Sequence, residues 1–194
     1  MSTALTLPEF LTVDAFLRWE APMGQLWQLV DGVPHAMAPP SPTHALIQGE
    51  VAGLLRNHLT LRKEACFVMV APGVVPRVQS DINMRIPDLA VTCSPALPGD
   101  NAIRDPVLVI EILSPSNRAE TWTNVWSYTT IPSVREILVL HSTSIGGDLL
   151  CRGPDGTWPE RPQAIGQDDL TLDSIGYTGP LAAFYRTTWL SETA

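Results

Sequence analysis

The fold is decided by two apolar segments near the middle of the chain, 85-RIPDLAV-91 and 106-PVLVIEIL-113, each interrupted by one acid. Both segments are rich in β-branched residues, a composition that predicts strands. The acids are Asp88 in the first segment and Glu111 in the second. Because an unpaired charge inside a buried strand is costly, acids at these positions indicate a specific role.

The two acids can meet if their strands are neighbours. Two carboxylates at one point could hold a divalent cation through hard oxygen ligands, with the carbonyl of Ile112 as a third ligand. Such a cation supplies what phosphodiester hydrolysis requires, which is charge neutralisation and an activated water. The spacing alone is equally compatible with buried structural carboxylates, or with solvent-facing acids on an edge strand.

Length and charge limit the classes of function. The 194 residues predict a single domain over residues 1–194, with enough chain for a core. The net charge is −8, and the arginines are scattered without forming a basic stripe. A monomer of this composition is expected to bind duplex DNA weakly, unless folding or a dimer gathers the arginines into one cleft.

The cysteines and the hydropathy bear on the location of the protein. The chain has no run of 18 or more apolar residues, so no membrane span is predicted. Cys66, Cys93 and Cys151 are far apart and odd in number, which argues against a disulfide framework and against a zinc cluster. We interpret each as a small buried apolar residue and predict a cytoplasmic location without membrane contact.

Local patterns predict a mixed sheet. Thr12 caps a short first helix, Asp31-Gly32 is the turn of a hairpin, and apolar residues at helical spacing predict helices over residues 44–59 and 117–130. The whole order is predicted as α-β-β-α-β-β-β-α-β-β-β-α. This order is typical of the α/β class (mixed α+β), with a mixed β-sheet flanked by helices.

Several short motifs follow one another along the chain: 27-WQLVDG-32, 41-SPTH-44, 86-IPDLAV-91, 108-LVIEILSPSN-117, Tyr128 and 131-IPSVRE-136. No single motif is specific, but the ordered set resembles the Uma-type family of putative restriction endonucleases, a bacterial branch of the PD-(D/E)xK nuclease superfamily. The resemblance implies a restriction-endonuclease-like core with metal-bound acids at its centre. It also implies DNA as the partner and Mg²⁺ or Mn²⁺ as the cofactor.

The resemblance assigns roles to individual residues. Asp88 corresponds to the motif aspartate and Glu111 to the motif acid, so both would bind the metal together with Ile112. Leu113 occupies the place of the superfamily lysine. Members of this family commonly supply a lysine from the next helix instead, and the corresponding position here is Asn124.

The only lysine in the chain is Lys63, at the far end of an earlier predicted helix. Asn124 could orient a water molecule by hydrogen bonds but cannot carry a positive charge. Arg118 could supply charge, but a guanidinium stays protonated and is a poor proton acceptor. We therefore expect Asn124 and Arg118 to be weakened substitutes for the missing lysine.

Further polar residues are accessory candidates. His44 matches a family histidine and would contact the site or a phosphate, unless it only forms a helix-start hydrogen bond. Glu50 would reach the metal through water, unless it lies on a solvated helix face. Gln28 stands where relatives often have glutamate. Trp122 and Trp126, four residues apart, would stack on exposed bases or pack in a core or dimer.

Two functions of different classes remain. The first is a metal-dependent endonuclease that hydrolyses DNA phosphodiester bonds with a degenerate PD-(D/E)xK site. The second is a catalytically weakened nuclease fold that binds nucleic acid or assembles with other proteins. The net charge, the missing lysine and Gln28 favour the second. A homodimer is also predicted, since a duplex cutter often needs two sites.

Overall fold

A computed structural model describes residues 8–192. The helices are α1 (Val13–Arg18), α2 (Pro42–Arg62) and α3 (Arg118–Tyr128). The strands are β1 (Trp27–Val30), β2 (Val33–Ala36), β3 (Phe67–Val70), β4 (Leu89–Thr92), β5 (Pro106–Leu113), β6 (Glu136–His141), β7 (Gly147–Cys151), β8 (Gln163–Ile165), β9 (Asp169–Leu172) and β10 (Tyr177–Pro180). Within the described residues, no helix has the length and apolarity needed to cross a membrane.

The central sheet has six strands in the order β3-β4-β5-β6-β7-β8. Strands β5 and β6 are parallel and are connected through α3, whereas the other neighbours are antiparallel. This mixed sheet flanked by helices confirms the predicted fold class. The predicted order is wrong after α3, where five strands follow instead of three. The additional strands arise because β9 and β10 form a separate hairpin beyond the sheet.

The two faces of β5 belong to two different apolar clusters. Its even-numbered residues, such as Ile110, pack in a cluster with the buried side of α2. Its odd-numbered residues Val109 and Leu113 pack in a second cluster, with Val125 and Tyr128 of α3. Because side chains alternate along a strand, Glu111 lies on the α3 face between Val109 and Leu113. The run of residues that looks uniformly apolar in sequence is therefore buried on both faces.

The helices α1 and α2 and the β1–β2 hairpin lie close to where the local sequence patterns predict them. Thr12 caps α1 by accepting a hydrogen bond from the Ala15 N–H, as predicted. The hairpin β1–β2 turns at Asp31 and Gly32, which both have positive φ. Helix α2 is longer than predicted, because Ser41 caps it and Pro42 occupies its first turn.

The predicted strand over residues 85–91 is split in two. Arg85 forms an isolated bridge with Val74, and β4 begins only at Leu89. Pro87 lies between these two stretches and has no N–H to donate to a ladder. As a consequence, Asp88 lies just outside the regular strand, where its side chain and backbone accept hydrogen bonds from other elements.

The interpretation of the cysteines was wrong. Cys66 and Cys93 form a disulfide, and Cys151 is free and exposed. Phe67 pairs with Thr92 across β3 and β4, so the two cysteines one position beyond this pair lie opposite each other. Their proximity depends on strand register, which a count of cysteines cannot show.

Replacing Leu55 by alanine should lower the free energy of unfolding by about 2–5 kcal/mol, because Leu55 is fully buried between α2 and the sheet. Leu61→Ala in the same helix is the matched control, since Leu61 is 83% exposed, and should change the free energy by no more than about 0.5 kcal/mol. Urea unfolding followed by circular dichroism measures both. Equal losses in the two variants would contradict the assignment of the buried face of α2.

Candidate active site

The antiparallel register of β4 and β5 brings the two motif acids together. Leu89 pairs with Ile110, so the next pair in register joins Asp88 to Glu111. Residues directly opposite each other on neighbouring strands share a face of the sheet. The meeting of the two carboxylates, which the sequence left open, is therefore present in the structure, and their charges interact directly.

Asp88 is held by four hydrogen bonds, one of which the Ala71 N–H donates to its backbone carbonyl at 3.0 Å. Its Oδ1 lies 2.7 Å from Nε2 of His44, and its Oδ2 accepts from the Ile112 N–H at 2.7 Å. Gln48 donates to its backbone carbonyl at 2.9 Å. His44 and Gln48 are four residues apart at the start of α2 and thus share one side of the helix. The first turns of α2 fix the position of this carboxylate.

Glu111 is 7% exposed, and its Oε1 accepts a hydrogen bond from the Tyr128 hydroxyl at 2.8 Å. Burial raises the pKa of Glu111 well above its ordinary value, and the negative charge of Asp88 raises it further. The pKa of Tyr128 is raised as well, by burial and by the charge of Glu111. Two carboxylates in contact, one of them buried, make an environment in which a positive charge is strongly favoured.

The chemistry of these donors fits a magnesium-like cation. Within residues 8–192, no cluster of three or more histidine, cysteine or acidic side chains is arranged to hold a metal ion. Magnesium, however, is usually bound by one or two carboxylates and keeps several waters. The Ile112 N–H faces Asp88, and the N–H and C=O of a strand residue point to the same neighbour. Asp88, Glu111 and the Ile112 carbonyl thus form a donor set suited to Mg²⁺ or Mn²⁺.

The lysine that the superfamily uses has no equivalent at this site among the described residues. Leu113 packs in the apolar cluster under α3. Lys63 terminates α2 about 28 Å along the helix axis from His44, at 1.5 Å per residue, so it does not fold back to the carboxylates.

The two substitutes that we predicted for this lysine are placed differently. Asn124 is 9% exposed and lies one helical turn before Tyr128, on the side of α3 that faces Glu111. None of the hydrogen bonds among the described residues involves its side-chain amide. Arg118 is exposed at the first turn of α3. Asn124 therefore lies one turn from the residue that contacts Glu111, whereas Arg118 lies at the exposed N-terminal turn of the helix.

Glu50 is not brought to the carboxylates. It forms an ion pair with Arg186 at 2.6 Å, and this pair ties α2 to the C-terminal segment. Gln28 is buried on β1 and donates from Nε2 to Glu120 of α3 at 2.7 Å, so it links the hairpin to α3. Of the accessory candidates, only His44 touches a motif acid directly.

Arg85 is a charged residue of this region that the sequence did not single out. It is buried, it donates from Nη1 to the Leu29 carbonyl at 2.7 Å, and its Nε has no hydrogen-bond partner. Burial lowers its pKa, while the charges of Tyr128, Asp31 and Glu120 act in the opposite direction. The sequence feature that could have indicated a buried role for Arg85 is its position inside an apolar segment, three residues before Asp88.

The raised pKa of Glu111 predicts a pH-dependent stability in the metal-free protein. An unfolded glutamate ionises near its ordinary value of 4.5, whereas the folded carboxyl resists ionisation. The contribution of the Glu111 carboxyl to folding stability is therefore fully present below pH 4.5. It is lost as the pH rises toward the pKa of the folded state. Glu111→Gln keeps an acceptor for Tyr128 without the charge, so it should unfold at higher urea than the wild type at pH 7.

Urea titrations in a chelator from pH 4 to pH 8 measure this difference. The gap between Glu111→Gln and the wild type should shrink toward acid pH. A gap that stays constant with pH would contradict the burial of an ionisable carboxyl next to Asp88.

Comparisons with known proteins identify the family and the fold. Residues 13–181 match the model of the Uma2 family, which is described as "Putative restriction endonuclease". The uncharacterized protein slr1290 of Synechocystis sp. is 30% identical over 178 residues, which cover 91% of this chain and 92% of that protein. The fold is similar to a crystal structure described as a putative nuclease belonging to DUF820 from Anabaena variabilis. Its TM-score is 0.72 at 13% identity, over 91% of this chain and 98% of that chain. The family model and the sequence relative together show that the chain belongs to the Uma2 family of putative restriction endonucleases.

Proposed function

We propose that the protein is a metal-dependent endonuclease that hydrolyses phosphodiester bonds of DNA at the Asp88–Glu111 pair. The observation that carries the proposal is the contact of two carboxylates on the inner strands β4 and β5 of the central sheet, where the charge of each carboxylate favours a cation beside the other. Membership of a restriction endonuclease family supports a nuclease. The metal dependence rests on the donor chemistry of the site.

Asp88, Glu111 and the Ile112 carbonyl would hold Mg²⁺ or Mn²⁺. When bound, such a cation neutralises charge on the phosphoryl oxygens and lowers the pKa of water. The residues around the acids hold them in place. His44 and the Ile112 N–H fix the Asp88 carboxylate, and the Tyr128 hydroxyl fixes Glu111.

The remaining polar residues have narrower roles. The amide of Asn124 orients water near Glu111, since it lies on the same side of α3 as Tyr128. Arg118, at the exposed start of α3, meets a phosphate outside the acid pair. Neither replaces a lysine beside the metal, so we propose that the PD-(D/E)xK site is degenerate and that its turnover is slow.

Asp88→Ala and Glu111→Ala should each lower cleavage of supercoiled plasmid in Mg²⁺ or Mn²⁺ by at least about 100-fold. Losses of about 10–100-fold are already typical when a residue that only supports a metal ligand is replaced. Gel electrophoresis of the nicked and linear products measures the rate. Glu50→Ala is the matched control, because Glu50 is an acid on α2 that pairs with Arg186 instead. Cleavage that survives both motif substitutions would remove the active-site assignment.

Restoring a lysine tests the proposed degeneracy. Asn124→Lys should raise the cleavage rate on the order of 10–100-fold, since one well-placed charge-stabilising group contributes about 10²–10³ in kcat. Asn124→Gln lengthens the side chain without adding charge and should not raise the rate. Thermal unfolding of both variants shows whether the lysine is tolerated. A lysine variant that folds, binds metal and cleaves no faster would contradict the proposed cause of slow turnover.

One observation favours a second function, that of a nucleic-acid-binding or assembly module on a weakened nuclease fold. Both oxygens of Asp88 accept hydrogen bonds within the protein, and the lysine position is filled by the buried Leu113. Under this alternative, isothermal calorimetry detects no Mg²⁺ or Mn²⁺ binding and no plasmid is cleaved.

Three broader expectations are also proposals. Residues 1–194 form one restriction-endonuclease-like domain, the protein works in the cytoplasm, and two copies form a dimer. The number of cysteines no longer supports a cytoplasmic location, because Cys66 and Cys93 form a disulfide. Size-exclusion chromatography with light scattering tests the dimer.

A further inference from the structure

An aromatic and cationic stripe lies on the outer side of α3, the helix that covers Glu111. Arg118, Trp122 and Trp126 follow one another at intervals of four residues and so lie along one side of the helix. The two indole rings are 6.3 Å apart with an interplanar angle of 36°. Trp126 is 41% exposed.

One tryptophan of the stripe is partly buried, and the other is exposed. Trp122 packs partly against the apolar cluster between α3 and the sheet, which anchors the indole pair. Trp126 lies further toward solvent. The opposite side of the same helix carries Asn124 and Tyr128, so the stripe and the carboxylate pair share one rigid element.

A second aromatic group lies at the C-terminal end of α3. Trp158 donates from Nε1 to the Thr129 carbonyl at 2.9 Å, directly after the helix. The guanidinium of Arg152 lies 4.9 Å from the Trp158 ring centroid and donates to the same carbonyl at 2.7 Å. Arg118, Trp122, Trp126, Arg152 and Trp158 together make a band of three tryptophans and two arginines, of which Arg152 is bound to the backbone carbonyls of Thr129, Ile131 and Pro132.

We propose that this band binds single-stranded nucleic acid, with bases stacked on the tryptophans and Arg118 on the backbone phosphates. The inference rests on the proposed function, because it names the form of DNA that the Asp88–Glu111 site acts on. Stacking on aromatic side chains near cations is the mode by which sequence-tolerant single-strand binders hold their ligand.

Charge favours a single strand over a duplex. Duplex binding draws most of its affinity from many phosphate contacts, and this chain has a net charge of −8. In a duplex the bases are already stacked on one another and cannot lie on the indole rings. The acid on α3, Glu120, accepts a hydrogen bond of 2.7 Å from Gln28, which leaves Arg118 as the charged side chain of the stripe.

The experiment measures binding without cleavage. A fluorescein-labelled oligothymidylate of roughly 10–16 nucleotides, a length typical of single-strand sites, is titrated with the full-length protein in a chelator, and anisotropy is followed. Trp126→Ala should weaken binding about fivefold or more, the lower limit of one base–aromatic stack, whereas Trp126→Phe should retain most of the affinity. Arg118→Ala should lower the salt slope of log K by about 0.7.

Phe67→Ala is the matched control, because Phe67 is also an exposed aromatic residue, on β3 at the far edge of the sheet. It should bind as the wild type does. Equal binding by Trp126→Ala and the wild type, or equal affinity for a duplex of the same length, would overturn the inference. So would conversion of a dimer to a monomer by Trp126→Ala without any change in oligonucleotide affinity, since the stripe would then be an interface between two copies.

The outcome is separable from that of the proposed function. Binding that depends on Trp126, without cleavage of either the plasmid or the oligothymidylate in Mg²⁺ or Mn²⁺, would support this inference and remove the nuclease. Cleavage that depends on Glu111, together with unchanged binding by Trp126→Ala, would support the nuclease and remove the single-strand surface.

Discussion

Asp88 and Glu111 place two carboxylates against each other where the start of β4 meets β5, and burial, followed by the charge of Asp88, raises the pKa of Glu111. The surrounding structure restrains this pair from both sides. Helix α2 contributes His44 and Gln48 to Asp88, and α3 contributes the Tyr128 hydroxyl to Glu111. Because each acid is bound to a different helix, the packing of both helices on the sheet determines the geometry of the site.

The two carboxylates have no lysine beside them among the described residues. A buried carboxyl beside a second one is stabilised by a metal ion, by a lysine, or by a proton. The position of the superfamily lysine is filled by Leu113, which instead contributes to the apolar cluster under α3. Arg85 is the buried cation of this region, and its charge acts on Tyr128 and so on the hydrogen-bonded chain that ends at Glu111. Its guanidinium is bonded to the Leu29 carbonyl, which fits a supporting role behind the acids.

Helix α3 combines three tasks on its different sides. One side buries Val125 and Tyr128 on the sheet, the first turn presents Arg118, and the outer side exposes Trp126. An 11-residue helix can do this because its faces are separated by the 3.6-residue period. The proposed acid site and the proposed single-strand surface are thereby held at a fixed distance by one element.

The sequence by itself determined the strand that carries Glu111, the hairpin turn at Asp31, the mixed-sheet class and the family, because all of these depend on local pattern and motif order. Tertiary structure decided which side chains meet. Residues far apart in the chain form the disulfide between Cys66 and Cys93 and the ion pair between Glu50 and Arg186. The burial of Arg85 likewise depends on elements distant in sequence. Such contacts follow from strand register and helix packing, which fix distances that no local pattern encodes.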